Sequence, residues 1–231
     1  MKLAIMGAMP EEIAPLLENI GQYTETKYAD NTYYECSYAG FDLVIAYSKI
    51  GKVFSTLTAS TMIQKFGAEK LLFSGVAGAI SPTLKVGDLI VATKLSQHDL
   101  DITAFGHPFG FVPEGAVYVE ADASMISMAK EVASDLNIKI QEGIIATGDQ
   151  FVANEERKNW IGDTFKADAL EMEGASVAVT CNALGVPFFI LRAISDAADM
   201  DASLSFDEFL ITSAQESANF MIKMLEKLSK S

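Results

Sequence analysis

The chain has 231 residues, 50% of them hydrophobic, and a formal net charge of −14. The length suits one large domain or two small ones, with apolar material for a substantial core. The dispersed acidic charge repels phosphate backbones and anionic bilayers, which argues against nucleic acid and membrane surfaces as partners.

The opening MKLAIMGAMPEE reaches acidic residues too early for a secretory signal, and no apolar run has the length to span a bilayer. A cytosolic setting is therefore expected. KLAIMG reads as a short buried strand, and Pro10 suits the first turn of a helix, PEEIAPLLENI, with Glu11 and Glu12 on its positive end. Two β-rich runs, NTYYECSYA and FDLVIAYS, meet at Ala39-Gly40 as a hairpin. The pattern from Lys52 to Phe66 is helical and stops at Gly67. KLLFSG is a strand running into a glycine-rich turn, DLIVATKLSQHD is strand-like, and ASMISMAKEVASDL is an amphipathic helix. IKIQEGIIATGD is strand-like, residues 173–184 read as a helix closed by Gly185, and VPFFILRAI is a buried strand. The last helix is expected to begin at Ser205, with Glu208 completing a capping box and Phe206 opening its apolar face. Cys36 and Cys181 are far apart in apolar or strand-like settings, so reduced buried thiols are expected. With only His98 and His107, no metal site is expected. Short strands alternating with helices, without linker or repeat, indicate a single α/β domain over 1–231 with a mixed central sheet.

Ligands of open α/β sheets gather at the carboxyl ends of strands. Those ends carry Gly7-Ala8-Met9 with Glu11 and Glu12, then SGVAG at 74–78, then Gly148, Asp149 and Phe151. They also carry Glu173 after DALEM, and Ser195-Asp196 after FFILRAI. Each item has an ordinary reading: first-turn acids, a tight turn, a core phenylalanine, a turn-capping aspartate. Arg192 is harder to dismiss, since a guanidinium inside VPFFILRAI demands an anionic partner. The aromatic, Gly/Pro-rich loop TAFGHPFGFVP (103–113) is hard to bury in a single chain and points to a ligand or a second subunit.

GAMPEE, SGVAGAI, TGDQF, EMEGASVAV and RAISDAAD, in this order, with HDLDITAFG and LSFDEFL, resemble the bacterial methylthioadenosine/S-adenosylhomocysteine nucleosidases of the purine nucleoside phosphorylase superfamily. The likeness covers essentially the whole chain and is especially close to the epsilonproteobacterial form, which also takes 6-amino-6-deoxyfutalosine in menaquinone synthesis. It implies a three-layer α/β/α fold with a mixed central sheet, a homodimer, no metal or organic cofactor, and hydrolysis of an N-glycosidic bond to release adenine and a 5-substituted ribose. By resemblance, Asp196 is the general acid, steadied by Ser195, while Glu12 holds the attacking water with help from Arg192. Met172 and Glu173 hold the ribose. Glu171 either joins them or pairs with Arg192. Phe151 and Val152 take the adenine, and Ala8, Met9, Val76, Ala77, Gly78 and Phe206 complete the pocket. Phe105, His107 and Pro113 come from the partner subunit. Members of the family often carry Ser at the position of Val76, so a side-chain hydroxyl contact is lost here. Phosphorolytic relatives carry a basic residue in the first glycine loop; GAMPEE carries glutamate instead.

Overall fold

The computed structural model describes residues 1–199 and 201–230. Its strands are β1 (Lys2–Gly7), β2 (Thr24–Tyr28), β3 (Asn31–Tyr38), β4 (Phe41–Tyr47), β5 (Lys70–Ala79), β6 (Leu89–Gln97), β7 (Val119–Glu120), β8 (Ile140–Thr147), β9 (Ala169–Glu171) and β10 (Phe188–Asp196). The helices are α1 (Pro10–Ile20), α2 (Lys52–Gln64), α3 (Ala123–Asp135), α4 (Glu155–Phe165), α5 (Gly174–Leu184) and α6 (Ala202–Leu228). The strands form one mixed sheet in the order β10-β6-β8-β9-β5-β1-β4-β3-β2, with β7 on the side of β6. Strand β10 pairs with both β5 and β6, so part of the sheet closes on itself.

Side-chain alternation divides the core into layers. Ala4 and Met6 of β1 pack with Ala59 and Met62 of α2 and with Ala175 and Ala178 of α5. Leu3 and Ile5 point the other way, to Ile13 and Leu16 of α1, Met125 of α3 and Met221 of α6. A strand with a period of two that is apolar at every position is buried on both faces. The result is an α/β/α arrangement of the nucleoside phosphorylase type. The Ala39-Gly40 turn has positive φ at both residues, 50° and 83°, as a tight hairpin requires.

Several expectations are corrected. SGVAG is strand, not turn: β5 continues through it because β10 pairs along Ser74 to Gly78 and β9 adds a partner at Gly78. Helix α6 begins at Ala202, not Ser205, whose N–H already donates to the Asp201 carbonyl inside the helix. Strand β2, a polar edge, and α4, polar with Gly162 inside it, are additional elements. Loop 103–113 is partly packed within its own chain: Phe109 meets Trp160 edge to face at 5.0 Å and Gly110 is buried. Both cysteines are unpaired; Cys181 is buried, whereas Cys36 is half-buried. No helix among the described residues is long and apolar enough to cross a membrane.

Candidate active site

A cavity of about 300 Å³ opens where the carboxyl ends of β1, β5, β9 and β10 converge. Ala8, Met9 and Glu12 come from the β1–α1 junction, and Val76, Ala77 and Gly78 from β5. Phe151 and Val152 follow β8; Glu171, Met172 and Glu173 join β9 to α5; Ser195 and Asp196 end β10; Phe206 projects from α6. Phe151 and Phe206 close one wall as an edge-to-face pair at 5.6 Å. The charged lining residues are Glu12, Glu171, Glu173 and Asp196; no Lys, Arg or His lines the cavity among the described residues.

Glu12 is 3% exposed and occupies the third position of α1, where its carboxylate completes a capping box. Oε2 accepts the N–H groups of Ala8 at 2.5 Å and Met9 at 3.1 Å, and Oε1 accepts that of Val76 at 3.0 Å. These backbone donors therefore serve Glu12 rather than a ligand. A Cβ on Gly75 would stand 2.6 Å from Glu12 Oε1, so only glycine lets this carboxylate lie against β5. Burial pushes the Glu12 carboxyl above its ordinary value, opposed by the Arg192 charge and the three N–H donors.

Asp196 is 4% exposed. Ser195 Oγ donates to its Oδ2 at 2.9 Å, and Ala198 N–H donates to Oδ1 at 2.8 Å. Burial again raises the carboxyl; the two hydrogen bonds oppose it, and the charge of Asp199 adds to it. The two environments differ in kind. Glu12 has three backbone donors and a guanidinium favouring its charged form, whereas Asp196 has less to hold it ionised.

Arg192 is 1% exposed and lies behind the cavity. Its Nη2 donates to Glu171 Oε2 at 2.8 Å, Nη1 donates to backbone carbonyls of Leu191 and Phe73, and the guanidinium covers the Phe73 ring at 4.0 Å. Glu171 is consumed in the same way. Its Oε2 also accepts the N–H groups of Glu173 at 3.1 Å and Gly174 at 2.7 Å, while Oε1 accepts the Thr147 hydroxyl. Of the two readings open for Glu171, the structure pairs it with Arg192 and uses it to cap α5. Glu173 instead keeps one protein donor among the described residues, Gly51 N–H on Oε1 at 2.8 Å. Burial and the neighbouring Glu171 charge push Glu173 up to about 8.

Phe105, His107 and Pro113 do not line the cavity of their own chain. Phe105 is 81% exposed, and His107 stacks on Phe111 at 4.6 Å. Ile50, Gln150 and Leu170 also line the cavity, beyond the residues expected from the sequence. Ile50 had a usable signal, since it follows β4 just as the other site residues follow their strands.

A family model described as the phosphorylase superfamily matches residues 2–227. The chain is similar to the aminodeoxyfutalosine nucleosidase of Campylobacter jejuni, 60% identical over 228 residues that cover 99% of this chain and 100% of that one. It is also similar to a 5'-methylthioadenosine/S-adenosylhomocysteine nucleosidase from Exiguobacterium, 38% identical over 232 residues and covering 100% of both. The solved nucleosidase of that name from Helicobacter pylori, complexed with butyl-thio-DADMe-Immucillin-A, matches with a TM-score of 0.97 at 50% identity, covering 98% of each chain. With full-length relatives and a family model spanning nearly every residue, the chain belongs to the phosphorylase superfamily.

Proposed function

We propose that this chain is an N-ribosyl hydrolase that cleaves 5'-methylthioadenosine, S-adenosylhomocysteine and 6-amino-6-deoxyfutalosine to adenine and a 5-substituted ribose. The observation that carries this reading is one cavity lined by Glu12 and Asp196, two buried carboxyls in unlike environments, with no cation among the described residues of its wall. Asp196, held up by burial, donates a proton to adenine N7 as the C1′–N9 bond breaks and its electron pair leaves with the base. Glu12, whose carboxylate is steadied by three N–H groups, takes a proton from the water whose oxygen bonds C1′. Ser195 fixes the acid, and Arg192 acts on Glu12 through its charge rather than by contact. Met172 and Glu173 hold the ribose; Glu171 supports them from behind. Phe151 stacks on adenine, and the Val152 backbone reads its edge.

Among the described residues of this cavity a phosphate dianion would meet four carboxyl groups and no cation, which favours water over phosphorolysis. The catalytic unit is a single domain acting in the cytoplasm as a homodimer. Phe105 and Val53, 81% and 76% exposed, with Phe54 and Leu57 of α2, supply apolar surface for a second copy. In that dimer Phe105, His107 and Pro113 close over the 5′-substituent of the partner's substrate. The test is adenine release from each nucleoside by purified protein, with and without phosphate. Release independent of phosphate is expected; a strict phosphate requirement overturns the hydrolytic reading.

A further inference from the structure

Two aspartates in the family-like segments, Asp99 and Asp149, stand outside the chemistry above, and so does Lys52 at the start of α2. The structure joins them in a ring. Lys52 Nζ reaches Asp99 Oδ1 at 2.6 Å, and Asp149 N–H donates to Asp99 Oδ2 at 2.8 Å. Lys52 N–H then donates to Asp149 Oδ1 at 2.8 Å and closes the circuit. Gln97 Oε1 takes a further bond from Lys52 Nζ at 3.2 Å. The ring ties the first turn of α2 to the ends of β6 and β8.

The tie matters because of what the next residue holds. Helix α2 has no side-chain cap of its own. Its leading N–H groups are taken by carboxylates from elsewhere, Gly51 by Glu173 and Lys52 by Asp149. Gly51 sits at φ 101°, and a Cβ there would stand 3.0 Å from Asp149 Oδ1, so the approach requires glycine. Behind it, Ser55 Oγ and Ser176 Oγ meet at 2.7 Å in a buried bond between α2 and α5, and Ser176 Oγ donates to the Glu173 carbonyl. Glu173 is thus gripped at its main chain through Ser176 and at its carboxylate through Gly51. Only the second grip depends on where α2 begins.

We propose that Lys52, acting through Asp99 and Asp149, is a positioning residue for ribose recognition: it holds Gly51 N–H on Glu173 and so aims the free carboxylate oxygen at the sugar hydroxyls. The inference rests on the nucleosidase reading and assigns the ring a share in selecting ribosides over deoxyribosides. Lys52 and Asp99 are 19% and 16% exposed at their side chains, so the pair is shielded enough to keep a defined geometry.

The test uses full-length Lys52→Met and Asp99→Asn, the second being isosteric and retaining shape if the first folds poorly. Substrates are methylthioadenosine and its 2′-deoxy and 3′-deoxy counterparts. Loss of one charge-assisted hydrogen bond predicts a fall of about tenfold in kcat/KM on the riboside, carried by KM. On the counterpart lacking the hydroxyl that Glu173 holds, the fall is expected to stay below about twofold, since the contact being aimed is gone. Lys52→Arg should restore most of the loss, and in a Glu173→Gln background Lys52→Met should add little. Equal losses on ribosides and deoxyribosides, or unchanged kinetics in a folded variant, would overturn the proposal. A wild-type protein that releases no adenine from methylthioadenosine would instead remove the nucleosidase reading beneath it.

Discussion

Replacing Glu171 by Gln separates the two roles open to that residue. The carboxylate serves four donors: the Thr147 hydroxyl on Oε1, and Glu173 N–H, Gly174 N–H and Arg192 Nη2 on Oε2. An amide fits best with its oxygen in place of Oε2, which keeps the α5 cap and leaves the Glu173 main chain where it is. Its NH2 then faces Thr147 Oγ1, which already accepts Ala175 N–H at 2.7 Å. The hydroxyl hydrogen loses its acceptor, at about 1–3 kcal/mol if it stays buried. The larger cost is electrostatic. Arg192, 1% exposed, loses its salt bridge to Glu171, and stripping one charge from a buried pair costs about 3–5 kcal/mol. For a chain of this size that corresponds to a fall in Tm of roughly 10 °C. On the proposed reading, in which Glu173 rather than Glu171 meets the sugar, KM at a temperature where the variant is folded should change by less than about fivefold, under 1 kcal/mol. Denaturant unfolding and steady-state adenine release on one preparation give both numbers. A large rise in KM with stability within about 1 kcal/mol of wild type would refute the reasoning and return Glu171 to the sugar.

Two other predictions follow from the carboxyl groups. Asp196→Asn keeps an acceptor for Ala198 N–H but has no proton to give, so kcat should fall by about 10²–10⁴-fold while circular dichroism and Tm stay near wild type; retained turnover would remove Asp196 as the general acid. Glu173, raised to about 8, binds a proton in the folded state that the unfolded chain has already released above its ordinary pKa. Its contribution to stability is complete below about pH 4.5 and is lost as pH rises through about 8, so Tm should decline over that window and Glu173→Gln should flatten the decline; an unchanged slope would count against the raised value.

The cavity lining is legible in the sequence because the ends of buried strands collect glycines and carboxylates, and Ala8, Glu12, Glu173 and Asp196 all lie at such ends. SGVAG misled because small residues look the same in a turn and in a strand over which carboxylates lie. Gly75 faces Glu12 and Gly78 faces Asp196, a reason visible only in three dimensions. Arg192 announced a buried anion, yet which carboxylate would answer depended on β9 and β10 lying near one another, a long-range fact. In loop 103–113, Phe109 packs on Trp160 while Phe105 stays in solvent, and nothing in residue type separates them. Strand β2 and helix α4 are not legible in the sequence because neither shows a regular apolar face.

The most direct test of the central claim follows the oxygen. Purified protein is given methylthioadenosine in phosphate-free buffer made with ¹⁸O-water, and the released sugar is examined by mass spectrometry. Adenine is expected together with a 5-substituted ribose carrying one label at C1, at a rate that added phosphate leaves unchanged. Intact nucleoside, or a ribose 1-phosphate formed only when phosphate is supplied, would contradict it.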